Sequence, residues 1–295
     1  MIDYLKFTIP TSKYLDQFIN QAKFHFSQIY DNNTEELKYP MWGECDGMKI
    51  KITQNIIEIS GSIHKYWNSK EHGVHANYND FSRNEIENAL GKLASDFGFS
   101  LEDTTLRNLE FGVNIEVTTD PTTIIQKNIL TYKDKEPKIN DDYRDTGKFT
   151  QFEFSNYRFK IYDKGKQFNL DYRLLRIELK TIKSSHVTKG IKWNLTKLYD
   201  KATLEDLGNK LTKMCTELLM CDSFELVDFV DTADHRKLLE FTNPRNWVYW
   251  RSTLKNKTKN RRKKVFSDLK DSYELSTTQQ ELIDLVSQKI EELTS

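Results

Sequence analysis

Three stretches decide the fold: Leu106–Val117 (LRNLEFGVNIEV), Tyr157–Lys166 (YRFKIYDKGK) and Tyr172–Lys180 (YRLLRIELK). Side chains alternate across a β-strand, so residue parity assigns each position to a face. In the first stretch the odd positions Leu109, Phe111, Val113, Ile115 and Val117 are apolar, and the even ones are Asn108, Glu110, Gly112, Asn114 and Glu116. In the second, Tyr157, Phe159 and Ile161 alternate with Arg158, Lys160 and Tyr162. In the third, Leu175, Ile177 and Leu179 alternate with Arg176, Glu178 and Lys180. The pattern predicts one antiparallel sheet with a core face and a polar face. A plain solvated sheet shows the same alternation, its charges pairing across strands, so parity alone leaves a site and an ordinary wet face both open.

Two details favour a site. Gly112 lies between Glu110 and Asn114, where a glycine lets a ligand or ion approach the backbone. Tyr162 stands among Arg158, Lys160, Lys164 and Arg176, cations that favour a phenolate nucleophile and hold a phosphate against it. Glu110 and Glu178, with Asn114, offer the hard oxygen ligands that Mg²⁺ or Mn²⁺ prefers.

Working outward, Met48–Ile52 and Ile56–Ile63 read as a hairpin about Thr53-Gln54-Asn55. Ser82-Arg83-Asn84-Glu85 is a capping box for a helix with Ile86, Ala89, Leu90, Leu93 and Phe97 on one face, stopped at Gly98. Asp120-Pro121 opens another helix, residues 135–147 read as an exposed loop, and Lys148–Phe154 as a strand. From Thr203, taken as a cap, the period is helical through Leu204, Leu207, Leu211, Met214, Leu218 and Leu219, with Cys215 and Cys221 as packing residues on that helix. Asn243-Pro244 starts a helix, and Ser276-Thr277-Thr278-Gln279 caps a last one. The expected fold class is α+β: an antiparallel sheet with one polar, active-site face and helices on the other, plus a helical C-terminal region. The expected division is 1–200 for the α+β body and 201–295 for the helical region.

Of 295 residues, 30% are charged and 12% aromatic, which argues against a membrane protein and against disorder. No apolar run nears the ~20 residues of a spanning helix, and MIDYLKFTIP does not read as a signal peptide. Cys45, Cys215 and Cys221 form no disulfide framework or zinc motif, so a reducing cytoplasm is expected. Gly165 and Gly190 are isolated, which excludes a phosphate loop of Walker type. The histidines give no metal pattern: His72-Gly-Val-His75 has the wrong spacing for one strand face, His64 beside Tyr66 and Trp67 reads as core, and His25, His186 and His235 lack evident partners.

The chain is formally neutral, with 44 basic and 44 acidic residues, yet the charge is clustered. RSTLKNKTKNRRKK carries Arg251, Lys255, Lys257, Lys259, Arg261, Arg262, Lys263 and Lys264 and no acid. Such a run is either a solvated helix face or a duplex-DNA contact working through phosphates.

At these residues the sequence resembles the rolling-circle replication initiators, both the transesterase initiators of small Gram-positive plasmids and the gene II/X replication proteins of filamentous phages. RFKIYDKGKQ followed by LLRIELKTIK looks like the family's tyrosine motif and following strand motif. MIDYLKFTIP, NLEFGVNIE and TNPRNWVYWRSTL look like the phage branch; the resemblance covers about 105–183, with looser echoes at both ends. It implies that Tyr162 is the tyrosine that becomes joined to DNA, and that Glu178 is the acid two residues after the strand-motif arginine. Glu110 stands at the family's first acid. The second acid is replaced by Asn114, a weaker neutral ligand, and the arginine is displaced to Arg107. The His-hydrophobic-His motif of the wider nickase superfamily is absent.

The reading that follows is a metal-dependent DNA nicking-closing enzyme of rolling-circle replication, in which Tyr162 forms a 5′-phosphotyrosine and leaves a 3′-OH. Mg²⁺ or Mn²⁺ would be held by Glu110, Asn114 and Glu178. Single-stranded or extruded origin DNA would be gripped by Arg158, Lys160, Lys164, Arg176 and Lys180. Duplex would be held by Arg251, Lys255, Arg261, Arg262, Lys263 and Lys264. Host helicase and polymerase are the implied partners, with no membrane and with a homodimer left open. The rivals are a non-enzymatic single-stranded nucleic-acid-binding protein on the same scaffold and a phage or plasmid interaction protein.

Overall fold

The computed structural model describes residues 1–31, 36–139 and 149–295. The first strands are β1 (Ile2–Pro10), β2 (Ser27–Asp31), β3 (Glu36–Cys45), β4 (Met48–Ile52), β5 (Ile56–Ser62) and β6 (Thr105–Glu116). They are followed by β7 (Ile129–Tyr132), β8 (Lys138–Ile139), β9 (Phe149–Glu153), β10 (Tyr157–Asp163), β11 (Leu174–Thr181) and β12 (Leu218–Met220). The helices before β7 are α1 (Thr11–Ile19), α2 (Ile63–His72), α3 (Arg83–Phe97) and the single turn α4 (Pro121–Thr123). Two short turns, α5 (Lys164–Gln167) and α6 (Ser185–Thr188), precede α7 (Lys201–Thr216), α8 (Thr232–Phe241), α9 (Pro244–Thr253), α10 (Asn256–Ser272) and α11 (Thr277–Thr294).

Ten strands form one sheet in the order β2-β3-β4-β5-β1-β6-β11-β10-β9-β8, every described pair antiparallel. This is the expected α+β architecture. The expected hairpin is β4–β5, and the expected capping box at Ser82 and Glu85 starts α3, which ends on the left-handed Gly98.

The centre of the sheet joins two sequence-distant halves through β1 and β6, with a register shift between Ile2 and Leu5. The odd residues of β6, β10 and β11 enter one core with Leu204, Leu207 and Leu211 of α7 and Leu282 and Val286 of α11. Each such side chain contributes about 1.5–3 kcal/mol on full burial, so α7 and α11 belong energetically to the sheet. Between them, Cys221, Leu238, Phe241, Trp247, Trp250, Phe266 and Leu269 build a second, smaller core under α8, α9 and α10.

Several local expectations are corrected. Asp200, not Thr203, caps α7, accepting from the Thr203 backbone N–H at 3.1 Å and its hydroxyl at 2.6 Å. The helix stops at Thr216 and Leu218 and Leu219 pass into β12, which pairs with β7; Cys221 is therefore buried but off the helix. Asp120-Pro121 yields one α-turn and a π-turn before β7, a strand the sequence did not signal. In the expected loop 135–147, Lys138 and Ile139 pair with β9, and 140–147 lie outside the described residues.

Candidate active site

The register stacks the predicted residues in three rows across β6, β11 and β10. Asn114 faces Arg176, which faces Tyr162; Gly112 faces Glu178, which faces Lys160; Glu110 faces Lys180, which faces Arg158. Parity thus brings Glu110, Asn114, Glu178 and Tyr162 to one side of the sheet. Gly112 does not open space for a ligand, as expected, but for the neighbouring strand: a Cβ there would strike the Ile177 carbonyl oxygen and lie 2.9 Å from Glu178 Cα.

The polar face is not wet. Glu110, Asn114, Arg176 and Glu178 are buried: residues 77–79, in the irregular segment between α2 and α3, roof over Asn114, Asp3 and Lys164, and Lys160 and Lys180 cover the two glutamates. Asn114 Nδ2 donates to the Tyr78 carbonyl at 2.9 Å. The Asn77 amide donates to Asp3 at 2.6 Å and accepts from Lys164 Nζ at 2.7 Å. His64 holds the roof from α2, with Nε2 3.0 Å from Asn79 Oδ1 and its ring stacked on Phe81, so it is structural. Lys289 of α11 pairs with Asp80 at 3.1 Å. Beside Asn114 a cavity of about 350 Å³ opens between roof and α11; neither Tyr162 nor Glu178 lines it.

Asp3 was not legible as a site residue, yet one carboxylate oxygen each from Asp3, Glu110 and Glu178 lie within 4.8 Å of one another. In β1 the core residues Leu5, Phe7 and Ile9 would place Asp3 on the core face by parity, and the register shift turns it over. The signal available in MIDYLKFTIP was the lone acid where the apolar alternation breaks. Asn114, expected as a ligand, spends its Oδ1 on Arg176 Nη1 at 3.2 Å.

The carboxylates differ in charge cost. Burial first, then the Glu178 charge, push the Glu110 carboxyl up to about 7, against the opposing pull of Lys160 and Lys180. Glu178 is drawn down to about 2: burial works against this, but Lys160 at 2.8 Å and Arg176 at 3.4 Å outweigh it. Lys160 also reaches Glu110 at 3.5 Å, and Lys180 pairs with Glu110. The donor set of three hard oxygens suits Mg²⁺ or Mn²⁺, with Lys160 now supplying the neutralising charge.

Tyr162 is half-buried and donates to Glu178 Oε2 at 3.4 Å. The expectation that cations favour its phenolate is corrected: burial, then Glu178, push the phenol well above its ordinary value, and Arg176 only partly opposes them. Lys164 and Arg176 face inward rather than out to solvent. The Lys164 ammonium lies 5.4 Å from the Tyr162 ring centroid and is drawn down to about 7 by burial and by Arg176. Arg176 Nη2 is buried with no hydrogen-bond partner. Arg158 stays at the rim, 3.3 Å from Glu153.

The basic run lies far along the chain on α9 and α10. Arg251, Lys255, Lys257, Arg261 and Lys264 are exposed. Arg262 pairs with Glu240 at 2.8 Å and covers the Trp250 ring at 4.1 Å, and Lys263 pairs with Asp134 at 2.7 Å. Among the described residues no helix is long and apolar enough to cross a membrane.

No family model matches the chain, and no curated protein matches it. It is similar to a solved structure of a rolling circle replication initiator protein from Geobacillus stearothermophilus, at 11% identity and a TM-score of 0.41, over 78% of this chain and 89% of that one.

Proposed function

We propose that the chain is a DNA strand transferase that initiates rolling-circle replication, with Tyr162 as nucleophile. The observation that carries this reading is the convergence of Asp3, Glu110 and Glu178 beside a tyrosine on one sheet face. Tyr162 Oη attacks the phosphorus, the bond to the 3′ oxygen breaks, and a 5′-phosphotyrosine and a 3′-OH result; religation is the reverse and needs no ATP. A divalent ion on the three carboxylates would polarise the scissile phosphate. Arg176 Nη2, buried and unpaired, is a spare donor for a non-bridging oxygen, and an unsatisfied buried donor calls for a partner.

The phenol proton must leave. Its hydrogen bond points to Glu178, whose carboxyl is drawn down and is therefore a weak base; Lys164, 5.4 Å from the ring centroid and drawn down to about 7, is the nearby candidate base once it is freed from Asn77. Asn77, which holds Asp3 and Lys164, would have to release both before an ion and this base could work together. The exposed cations of α9 and α10 would hold duplex through phosphates.

One observation favours the non-enzymatic, strand-binding alternative: Lys160, Arg176 and Lys180 already neutralise the carboxylates. Incubation with single-stranded DNA and Mn²⁺ separates the two. The transferase forms a protein–DNA adduct that survives denaturing electrophoresis, and Tyr162→Phe forms none while binding DNA as before. Binding by the wild type without any adduct would install the alternative.

A further inference from the structure

A second group of titratable side chains lines a cavity of about 220 Å³ on the other side of β10. Tyr157 and Tyr162 are five residues apart on that strand, so they face opposite ways and lie about 16 Å apart along it. Around this cavity Lys133 follows β7, His186 comes from α6, and Lys210 and Lys213 come from α7.

The polar groups there are incompletely satisfied. The His186 ring stacks on Tyr157 with centroids 4.2 Å apart, but its Nε2 is buried without a hydrogen-bond partner. Lys133 lies 3.2 Å from Glu217, the one carboxylate among the described residues lining the cavity, and 3.4 Å from Tyr157 Oη. Lys210 Nζ donates to the His186 carbonyl at 2.8 Å. Three ammonium groups against one carboxylate leave an excess of two positive charges.

We propose that this cavity binds a phosphate group. Lys210 and Lys213 would supply charge-assisted donors, and Tyr157 Oη and neutral His186 Nε2–H the remaining hydrogen bonds. Burial, then Lys210 and Lys133, draw His186 down to about 4, and burial with Lys133 and Lys189 draws Lys210 below its ordinary value. A bound anion reverses both costs, because an opposite charge favours the cationic forms. The volume is below the roughly 300–1,000 Å³ of sites that enclose a drug-sized ligand, so it takes a phosphate group rather than a whole nucleotide. That group belongs either to a nucleic-acid backbone or to free phosphate. The proposal does not depend on strand transfer at Tyr162.

The test uses the full chain with isotope-labelled histidine. The His186 ring signals, assigned by their loss in His186→Phe, are followed while inorganic phosphate is added, and separately a short oligothymidylate. Saturable movement is expected, with His186 titrating at higher pH in the bound state. Response to phosphate alone identifies a free-phosphate site, and response only to the oligonucleotide identifies a backbone site. Lys210→Met, followed by the His186 signals, and His186→Phe, followed by isothermal titration calorimetry with the same probes, should each weaken binding by about tenfold or more, as loss of a hydrogen bond to a charged group does. Wild-type His186 signals unmoved by both probes would overturn the proposal. So would wild-type affinity in both variants.

Discussion

Replacing Glu110 with glutamine tests the electrostatics of the acidic cluster. Glu110 is held at about 7 in the fold, raised by burial and by Glu178, against 4.5 for an ordinary glutamate. A folded value above the unfolded one means that the native state holds the proton more tightly. The wild type is therefore unpenalised below about pH 4.5, and loses stability as pH rises through 7, where the unfolded chain ionises freely and the fold does not. The full difference, at about 1.4 kcal/mol per pH unit, is about 3 kcal/mol. About 2 kcal/mol of it falls between about pH 5.5 and about pH 8.5. Glu178 runs oppositely: its stabilisation is present above 4.5 and lost as pH falls towards 2, outside that window. Urea unfolding of both proteins, followed by tryptophan fluorescence, should show the wild type losing about 2 kcal/mol more than Glu110→Gln over this range. Parallel profiles would refute the reasoning. Because an ion needs the ionised carboxylate, Mg²⁺ should bind the wild type more tightly above pH 7 and displace a proton as it binds.

Gly112→Ala should lower stability by about 1–3 kcal/mol or more, since the new methyl meets the backbone of β11 rather than a movable side chain; an unchanged urea midpoint would contradict the close approach. Mn²⁺ should raise the Tm of the wild type, and Asp3→Asn, which keeps the shape of the side chain that accepts from the Ser62 hydroxyl and the Asn77 amide, should abolish that rise; an equal rise would remove Asp3 from the ion site. Changing Lys255, Lys257, Arg261 and Lys264 to alanine should reduce the salt slope of duplex binding by about 0.9 for each phosphate no longer neutralised. An unaltered slope would make α10 an ordinary solvated face.

Much of the site was legible because parity is a local rule that survives folding. The even residues of LRNLEFGVNIEV, YRFKIYDKGK and YRLLRIELK meet in rows, as strand alternation requires. What parity could not give was distance from water. The sequence showed Lys164 and Arg176 as bases on a polar face, but the end of that face around Asp3, Asn114 and Lys164 is covered by residues 77–79, whose asparagines carry no periodic signal. Asp3 was missed because a register shift breaks parity where it sits. Around residue 218 the apolar helical period continued past the point where Leu218 and Leu219 leave α7, since an apolar pair serves a buried helix and a buried strand equally.

The position of β1 has a consequence for when this protein can become chemically competent. Asp3 is made first, yet β1 completes the sheet only by pairing with β6, about a hundred residues later, and Glu178 arrives on β11 later still. Separate the sheet between β1 and β6 and one piece keeps Asp3 while the other keeps Glu110, Glu178 and Tyr162. A nascent chain that has not yet reached β11 lacks Glu178, and neither piece of a chain cut between β1 and β6 holds all three acids. If the trio acts on a phosphate as proposed, that action waits for the long-range closure of the sheet, so that folding itself acts as the safety catch.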